Sequence, residues 1–307
     1  MIINRLSFPD FFMETMLPSL RAVIANKFKA KKKMIPDLFQ VMNSDGSIEQ
    51  FSGFSGLGYA SEVSELGDIR EDAPVQEFAS TFVHRTFALA LSFSRETVED
   101  DKHRLIRRST EELADSVVET TEIDGANVIN LGFSTAGYDG QPLFSANHPQ
   151  SKRGGVQSNI LSVAADLSVS SLQSALIDWM TMRRSNGHLV SLPTPRLLVS
   201  ANGHFNAHEI LKGTYRSDTA NNTVNAFRYG EQGPIESIMS WARITNPKFW
   251  GLFAPPGQTG LVWFWRVKPY QYPFRDDKSQ RAGVAIRYRK SQGWESYLGT
   301  YASPGAS

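Results

Sequence analysis

The stretch that most constrains this chain is residues 95–149, a long charged segment with helical spacing that runs into the polar turn DGQPLFSANHP at 139–149. Glu96, Glu99, Asp100 and Asp101 crowd its start. A helix presents unpaired N–H groups and the positive end of its dipole there, and Ser94 or Thr97 is placed to cap it. Lys102, Arg104, Arg107 and Arg108 follow about one turn later, so opposite charges face each other at i,i+4. Leu105, Leu113, Val117 and Val118 leave a narrow apolar stripe. A helix this long and this polar is not the centre of an ordinary core, and the pattern predicts a spine crossing the outside of one.

With 307 residues the chain has the length of roughly two domains. Its net charge of +1 gives no chain-wide attraction to nucleic acid or acidic substrates, so any basic site must be local. The absence of cysteine excludes disulfides, thiolate catalysis and cysteine-ligated metals. The start, MIINR, lacks the pattern of a signal peptide, and no stretch approaches the ~20 apolar residues of a membrane span. These features predict a soluble chain made in a cytoplasm, with no membrane partner.

Residues 1–45 read as an arm, punctuated by Pro9, Pro18 and Pro36 and carrying a basic run of Lys27, Lys29, Lys31, Lys32 and Lys33. Such a run is a solvated helix face or a contact with phosphate or an acidic neighbour. From residue 46 to about 93 the chain turns extended. Phe51, Phe54 and Tyr59 stand among Gly53, Gly56 and Gly58, and Glu62, Glu65, Asp68, Glu71 and Asp72 make an acidic bend. In the return run Phe87, Leu89, Leu91 and Phe93 share one face, while Phe78 and Phe82 have the opposite parity. That slip predicts a bulge or a change of the covered face. Two such runs joined by a bend describe a projecting β-hairpin reaching on the order of 50 Å, whose apolar side chains need a partner.

Residues 165–256 have a mixed texture. Leu172, Leu176, Trp179 and Met180 follow helical spacing after serine-rich caps at 168–171. PRLLV at 195–199 is a strand, residues 203–212 a helix with Phe205, Ala207, Ile210 and Leu211 apolar, 217–225 a polar loop, and 235–241 and 249–253 strands. The pattern predicts a compact α/β lobe. Beyond residue 260, LVWFW at 261–265 and AIRYR at 285–289 read as strands that return under the charged helix.

Candidate chemistry is weak. Ser134, Asp139 and His148 occur in the chain order of some hydrolases, but Gly132-Phe-Ser134-Thr-Ala-Gly137 has one residue too many for a nucleophile elbow and follows a predicted helix. His204 and His208 share a helical face beside Glu209 without an evident third metal ligand. The order Gly53-x-x-Gly56-x-Gly58 reverses a dinucleotide fingerprint. The carboxylates at 96–101 already have a dipole reason to be there, and Trp263, Phe264 and Trp265 alternate across a strand as buried residues do.

RETVEDD at 95–101, the charged helix after it and DGQPLFSANHP at 139–149 resemble the major capsid proteins of tailed bacteriophages, notably the Mu-like major head subunit. PRLLV at 195–199, the helix with Ala207, Ile210 and Leu211, and the order of elements extend the resemblance over nearly the whole chain. It implies an α+β chain in the Hong Kong phage-type capsid fold. The parts are an N-terminal arm (1–45), an extended β-hairpin loop (46–93), a peripheral domain with a long spine helix (94–164) completed by return strands (257–307), and an α/β axial domain (165–256).

The resemblance further implies a structural protein with no catalytic, cofactor or metal site, self-assembling into hexamers and pentamers of an icosahedral shell around double-stranded DNA. Its implied partners are itself, a portal, scaffolding or decoration proteins, and nonspecifically held packaged DNA; its place is the virion, and the host cytoplasm during assembly. Lys27, Lys29, Lys31, Lys32 and Lys33 are then candidate nucleic-acid or inter-subunit contacts. Phe51, Phe54, Tyr59, Phe78 and Phe82 are candidates for the inter-subunit face of the loop. A nanocompartment shell of the encapsulin type is the alternative on the same fold, and a hydrolase the more distant one. No motif establishes subunit cross-linking or maturation proteolysis.

Overall fold

The computed structural model describes residues 17–30, 33–65, 67–100, 104–150, 154–214, 224–228, 233–276, 279 and 281–306. Residues 1–16, Lys31, Lys32 and most of the 217–225 loop therefore lie outside the described residues. Helix α1 (Leu17–Ala30) and the short α2 (Ile35–Leu38) lead into β1 (Gln40–Asn43), β2 (Ile48–Phe54), β3 (Gln76–Val83) and β4 (Arg85–Ser94). Helices α3 (Arg95–Asp100) and α4 (Arg104–Asn130) follow, then the short β5 (His148–Pro149) and β6 (Val156–Gln157). The remaining elements are α5 (Val169–Met180), β7 (Arg196–Val199), α6 (His204–Lys212), β8 (Ile238–Ser240), β9 (Trp250–Phe253), β10 (Leu261–Asp276), β11 (Arg281–Trp294) and β12 (Thr300–Ser303). No helix among the described residues is long and apolar enough to cross a membrane.

Two four-stranded sheets carry the fold, in the orders β1-β10-β11-β4 and β12-β9-β7-β8, while β2 pairs with β3 and β5 with β6. The predicted strands at 261–265 and 285–289 are parts of one long antiparallel hairpin, β10–β11. Its register shifts between Trp265 and Tyr270. Pro269 sits in that interval, where it has no N–H to give to a ladder. The reading of 75–93 as one run needs correction: β3 pairs with β2, whereas β4 pairs with β11 in the first sheet. The parity slip thus marks a change of sheet. His84 stands at the handover, buried, with its ring nitrogens 2.7 Å from Ser44 Oγ and 3.0 Å from Ser291 Oγ.

The charged segment is helical over Arg95–Asp100 and Arg104–Asn130, with Asp101, Lys102 and His103 outside the described residues; Ser94 caps the first helix, its Oγ accepting from the Thr97 N–H at 3.2 Å. Arg107 pairs with Glu111 one turn on, at 3.3 Å. The apolar stripe is wider than predicted and begins elsewhere, because Leu105 is exposed and Ile106 is buried in its place. Leu113, Ala114 and Val117 pack with Val284, Ile286 and Tyr288 of β11 and with Leu17 and Ile24 of α1. Further along, Ala126, Val128 and Ile129 enter a core reached by Leu261 and Trp263 of β10 and by Leu198, Phe253 and Ala302 of the second sheet. The spine therefore lies outside the first sheet but inside the junction of the two. At ~1.5–3 kcal/mol for each large apolar side chain buried, its inner face fixes the arrangement of both sheets.

In the second lobe α5 and α6 share one face of the sheet, Leu172, Leu176 and Trp179 meeting Ala207, Ile210 and Leu211 over Leu197, Val199 and Leu252. The serine caps read as expected, Ser168 and Ser171 forming a capping box. Met180 and Phe205, named with the apolar positions of these helices, are 63% and 83% exposed. The strand over 235–241 shortens to β8, and β12 is an element that sequence reading missed.

Candidate functional site

The β2–β3 hairpin has a firm root. Phe51 and Phe82 lie 5.5 and 5.3 Å, between ring centroids, from Phe264 of β10, and Phe82 is buried. Gly293 of β11 makes room, since a Cβ there would stand 2.8 Å from the Phe82 ring. These two aromatics are thus spent on the subunit's own core. Phe54, Tyr59 and Phe78 are not: they remain 68%, 70% and 44% exposed. Past the paired strands the chain is irregular from 55 to 75, and its described residues 57–65 and 67–75 are all exposed. Glu62, Glu65, Asp68, Glu71 and Asp72 against Arg70 make this tip acidic, and Ile69 stands 82% exposed among them.

The basic run is divided. Lys27 Nζ lies 3.8 Å from Glu111 and 3.6 Å from Asp115, so this lysine fastens α1 to α4. Lys29 is exposed, and Lys33 Nζ stands 5.7 Å over the Phe28 ring. Between α1, α2, α4 and β10 lies a cavity of about 330 Å³ lined by Phe28, Ile35, Val117, Val118 and Trp265, with Lys33 and Lys268 also in its wall.

The turn at 139–149 contains the densest polar cluster, and it is closed. Asp139 accepts from the Gln141 N–H at 3.1 Å, and its other oxygen lies 2.6 Å from His148 Nδ1. His148 Nε2 faces Asn159 Oδ1 at 3.2 Å, an oxygen that also accepts from the Ser145 N–H at 2.8 Å. Asn159 Nδ2 donates to the Leu143 carbonyl at 2.7 Å. Both ring nitrogens thus face oxygens of neighbouring side chains. The Tyr297 ring stacks on the imidazole at 3.9 Å, and the His148 side chain has no exposed surface. Burial first, then the neighbouring Asp139, pushes the Tyr138 and Tyr297 hydroxyls well above the usual phenol range. Ser134 is exposed and donates to the Leu131 carbonyl. No hydrogen bond joins it to His148 among the described residues, so two members of the apparent triad form a buried hydrogen-bonded pair that shapes a turn, and the third has no base.

The other chemical candidates also resolve into structure. The His204 and His208 rings approach to 4.5 Å, and among the described residues no group of three or more His, Cys, Asp or Glu gathers around an ion position. Glu96 is held below the usual carboxylate range by its backbone N–H bond and then by Ser94. Glu122, whose carboxylate accepts from the Met34 N–H at the start of α2, is pushed up by burial, as is Glu295. Sequence reading missed the turn at 183–189, whose Ser185-Asn186-Gly187 is a turn signal that says nothing about what lands on it.

A spine helix clamped between two sheets, a lobe of helices on one face, and a long hairpin rooted in the core with an uncovered tip define a shell-building subunit. The family model described as "Phage capsid protein" matches residues 78–302, well over half of the chain, and the chain belongs to that family. No curated protein sequence matches it. In fold it is similar to the capsid structure of the cyanophage P-SCSP1u, at 11% identity and a TM-score of 0.61 over 90% of this chain and 89% of that one. It is also similar to the bacteriophage PhiM1 mature capsid, at 8% and 0.60 over 89% and 87%, and to the capsid of Ralstonia phage GP4, at 12% and 0.58 over 89% and 91%. These likenesses give the Hong Kong phage-type capsid fold. The family gives the role: a major structural protein of the virion capsid, which associates with copies of itself and is not an enzyme.

Proposed function

We propose that this chain is the head subunit of a tailed phage, forming the hexamers and pentamers of an icosahedral shell around double-stranded DNA. We read it as a Mu-like head subunit from the segments at 95–101 and 139–149. The observation that carries the reading is the β2–β3 hairpin: a core-anchored arm whose tip, with Ile69 82% exposed, is covered by none of the described residues of its own chain. On a closed shell the same surface is covered once per subunit by symmetry, so modest contacts multiply.

The division into arm (1–45), extended loop (46–93), peripheral domain (94–164 and 257–307) and axial domain (165–256) belongs to the proposal, with β1 and β4 as the strands by which arm and loop enter the peripheral sheet. Phe54 and Phe78 are the loop aromatics we assign to neighbours, Tyr59 being stacked on His188 of its own chain, and Lys29 and Lys33 the described lysines available to DNA or an adjoining subunit. Portal, scaffolding or decoration proteins are the expected further partners, met in the host cytoplasm. Purified protein viewed by negative-stain microscopy is expected to show rings or closed particles. A strictly monomeric protein across salt, pH and concentration series would sink the proposal.

A further inference from the structure

The extended loop does not hang free from its root, because it returns to its own chain at the turn 183–189. That turn is rigid by its own bonds. Arg183 and Leu189 form a bridge, the Arg184 N–H donates to the His188 carbonyl at 2.9 Å, and the Gly187 N–H donates to the Arg184 carbonyl at 2.8 Å. The Arg183 guanidinium reaches the Gly187 carbonyl at 2.8 Å, and the His188 N–H donates to Asn186 Oδ1 at 3.1 Å. Onto this frame the loop sets three groups. The Leu57 carbonyl accepts from Asn186 Nδ2 at 2.9 Å, the Tyr59 ring stacks on His188 at 3.8 Å, and the Ser185 hydroxyl donates to the Glu77 carboxylate. Gly56 has a φ of 72°, and a Cβ there would stand 3.1 Å from Asn186 Nδ2, so the close approach suits glycine.

The contact is thin. Tyr59 keeps 70% of its surface exposed, and beneath the loop lies a cavity of about 350 Å³ whose walls include Glu77, Arg184, Glu295 and Tyr297. It also hides nothing. Glu62, Glu65, Asp68, Ile69 and Glu71 all project beyond it.

We infer that the 183–189 turn is a positioning seat for the extended loop, holding it through Leu57, Tyr59 and Glu77 so that the tip is ordered in advance for docking on a second copy of this chain. The inference rests on the reading that the loop bridges subunits. A tip already restrained loses less conformational freedom on docking, which favours association without adding a contact. A contact that merely restrained the loop from assembling would instead cover the tip, and this one leaves it bare.

The test uses Tyr59→Ala and Asn186→Ala in the full chain, with thermal melting and circular dichroism as checks that the fold is kept. Because the chain has no cysteine, a Tyr59→Cys/His188→Cys double variant closed by a short thiol-specific cross-linker ties the loop to its seat selectively. Amide exchange across 57–75 in free subunits is expected to rise on the order of five- to tenfold in the alanine variants. The initial rate of assembly, read by light scattering, is expected to fall by a comparable factor, while the cross-linked protein assembles at least as fast as its untreated control. Unchanged exchange in the alanine variants, unchanged assembly despite raised exchange, or slower assembly after cross-linking would each overturn the seat. Deleting residues 60–71 separates the two ideas: if that deletion leaves assembly unaffected, the bridging role of the loop fails as well.

Discussion

Lys290 shows at the scale of one residue how the spine is held. Its side chain is fully buried under α4, with Nζ 2.6 Å from Asp124 Oδ2 and 3.2 Å from Gln292 Oε1, and 4.4 and 4.9 Å from the Trp263 and Phe87 ring centroids. Burial pushes the ammonium below the usual lysine range, and the Asp124 carboxylate opposes that. Breaking a buried pair leaves the more deeply buried charge uncompensated. Asp124→Ala is therefore expected to cost about 3–5 kcal/mol. Lys290→Met should cost less, because Asp124 is 23% exposed and can regain water. Denaturant unfolding of free subunits measures both, and a larger loss for Lys290→Met would contradict this account. Nothing in the sequence marked the pair, which joins positions far apart in the chain. Ser94, by contrast, was legible as a cap because its partner Thr97 is three residues away.

Among the elements, α4 repeats that contrast. Its existence and charge pairing were readable from local spacing, yet the face it buries is set by three separate neighbours. Gly125 shows the crowding, for a Cβ there would stand 3.0 Å from Ile35 Cγ1 and 3.3 Å from Trp241 Cη2. In an isolated helix alanine is favoured over glycine by about 1 kcal/mol. Here Gly125→Ala is expected to destabilise instead, by about 1–3 kcal/mol of overpacking, seen as a lower denaturation midpoint; a raised midpoint would show that α2 and Trp241 yield freely. The same limit explains Met180 and Phe205. Spacing placed them in the right helices, and only the tertiary arrangement decides that these positions face water. The short strands β1 (QVMN) and β12 (TYAS) lack the apolar runs that made the equally short β7 (RLLV) and β9 (WGLF) legible.

For the whole molecule, the architecture was legible through resemblance, while the core shared by both sheets was not, since its members come from 34–302 and meet only in three dimensions. Once subunits share surface, association adds to the stability of each. Particles are therefore expected to unfold at a higher temperature than free subunits, with a gap that widens at higher protein concentration; calorimetry that found equal midpoints would contradict this. The sheet order carries a last consequence. β1 lies against β10, and β9 waits for β12, so both sheets are completed by strands made late in translation. A nascent chain still lacking residues 261–303 has neither a finished sheet for its hairpin root nor a closed lobe. A chain cut short before residue 261 is thereby expected to stay out of a growing shell.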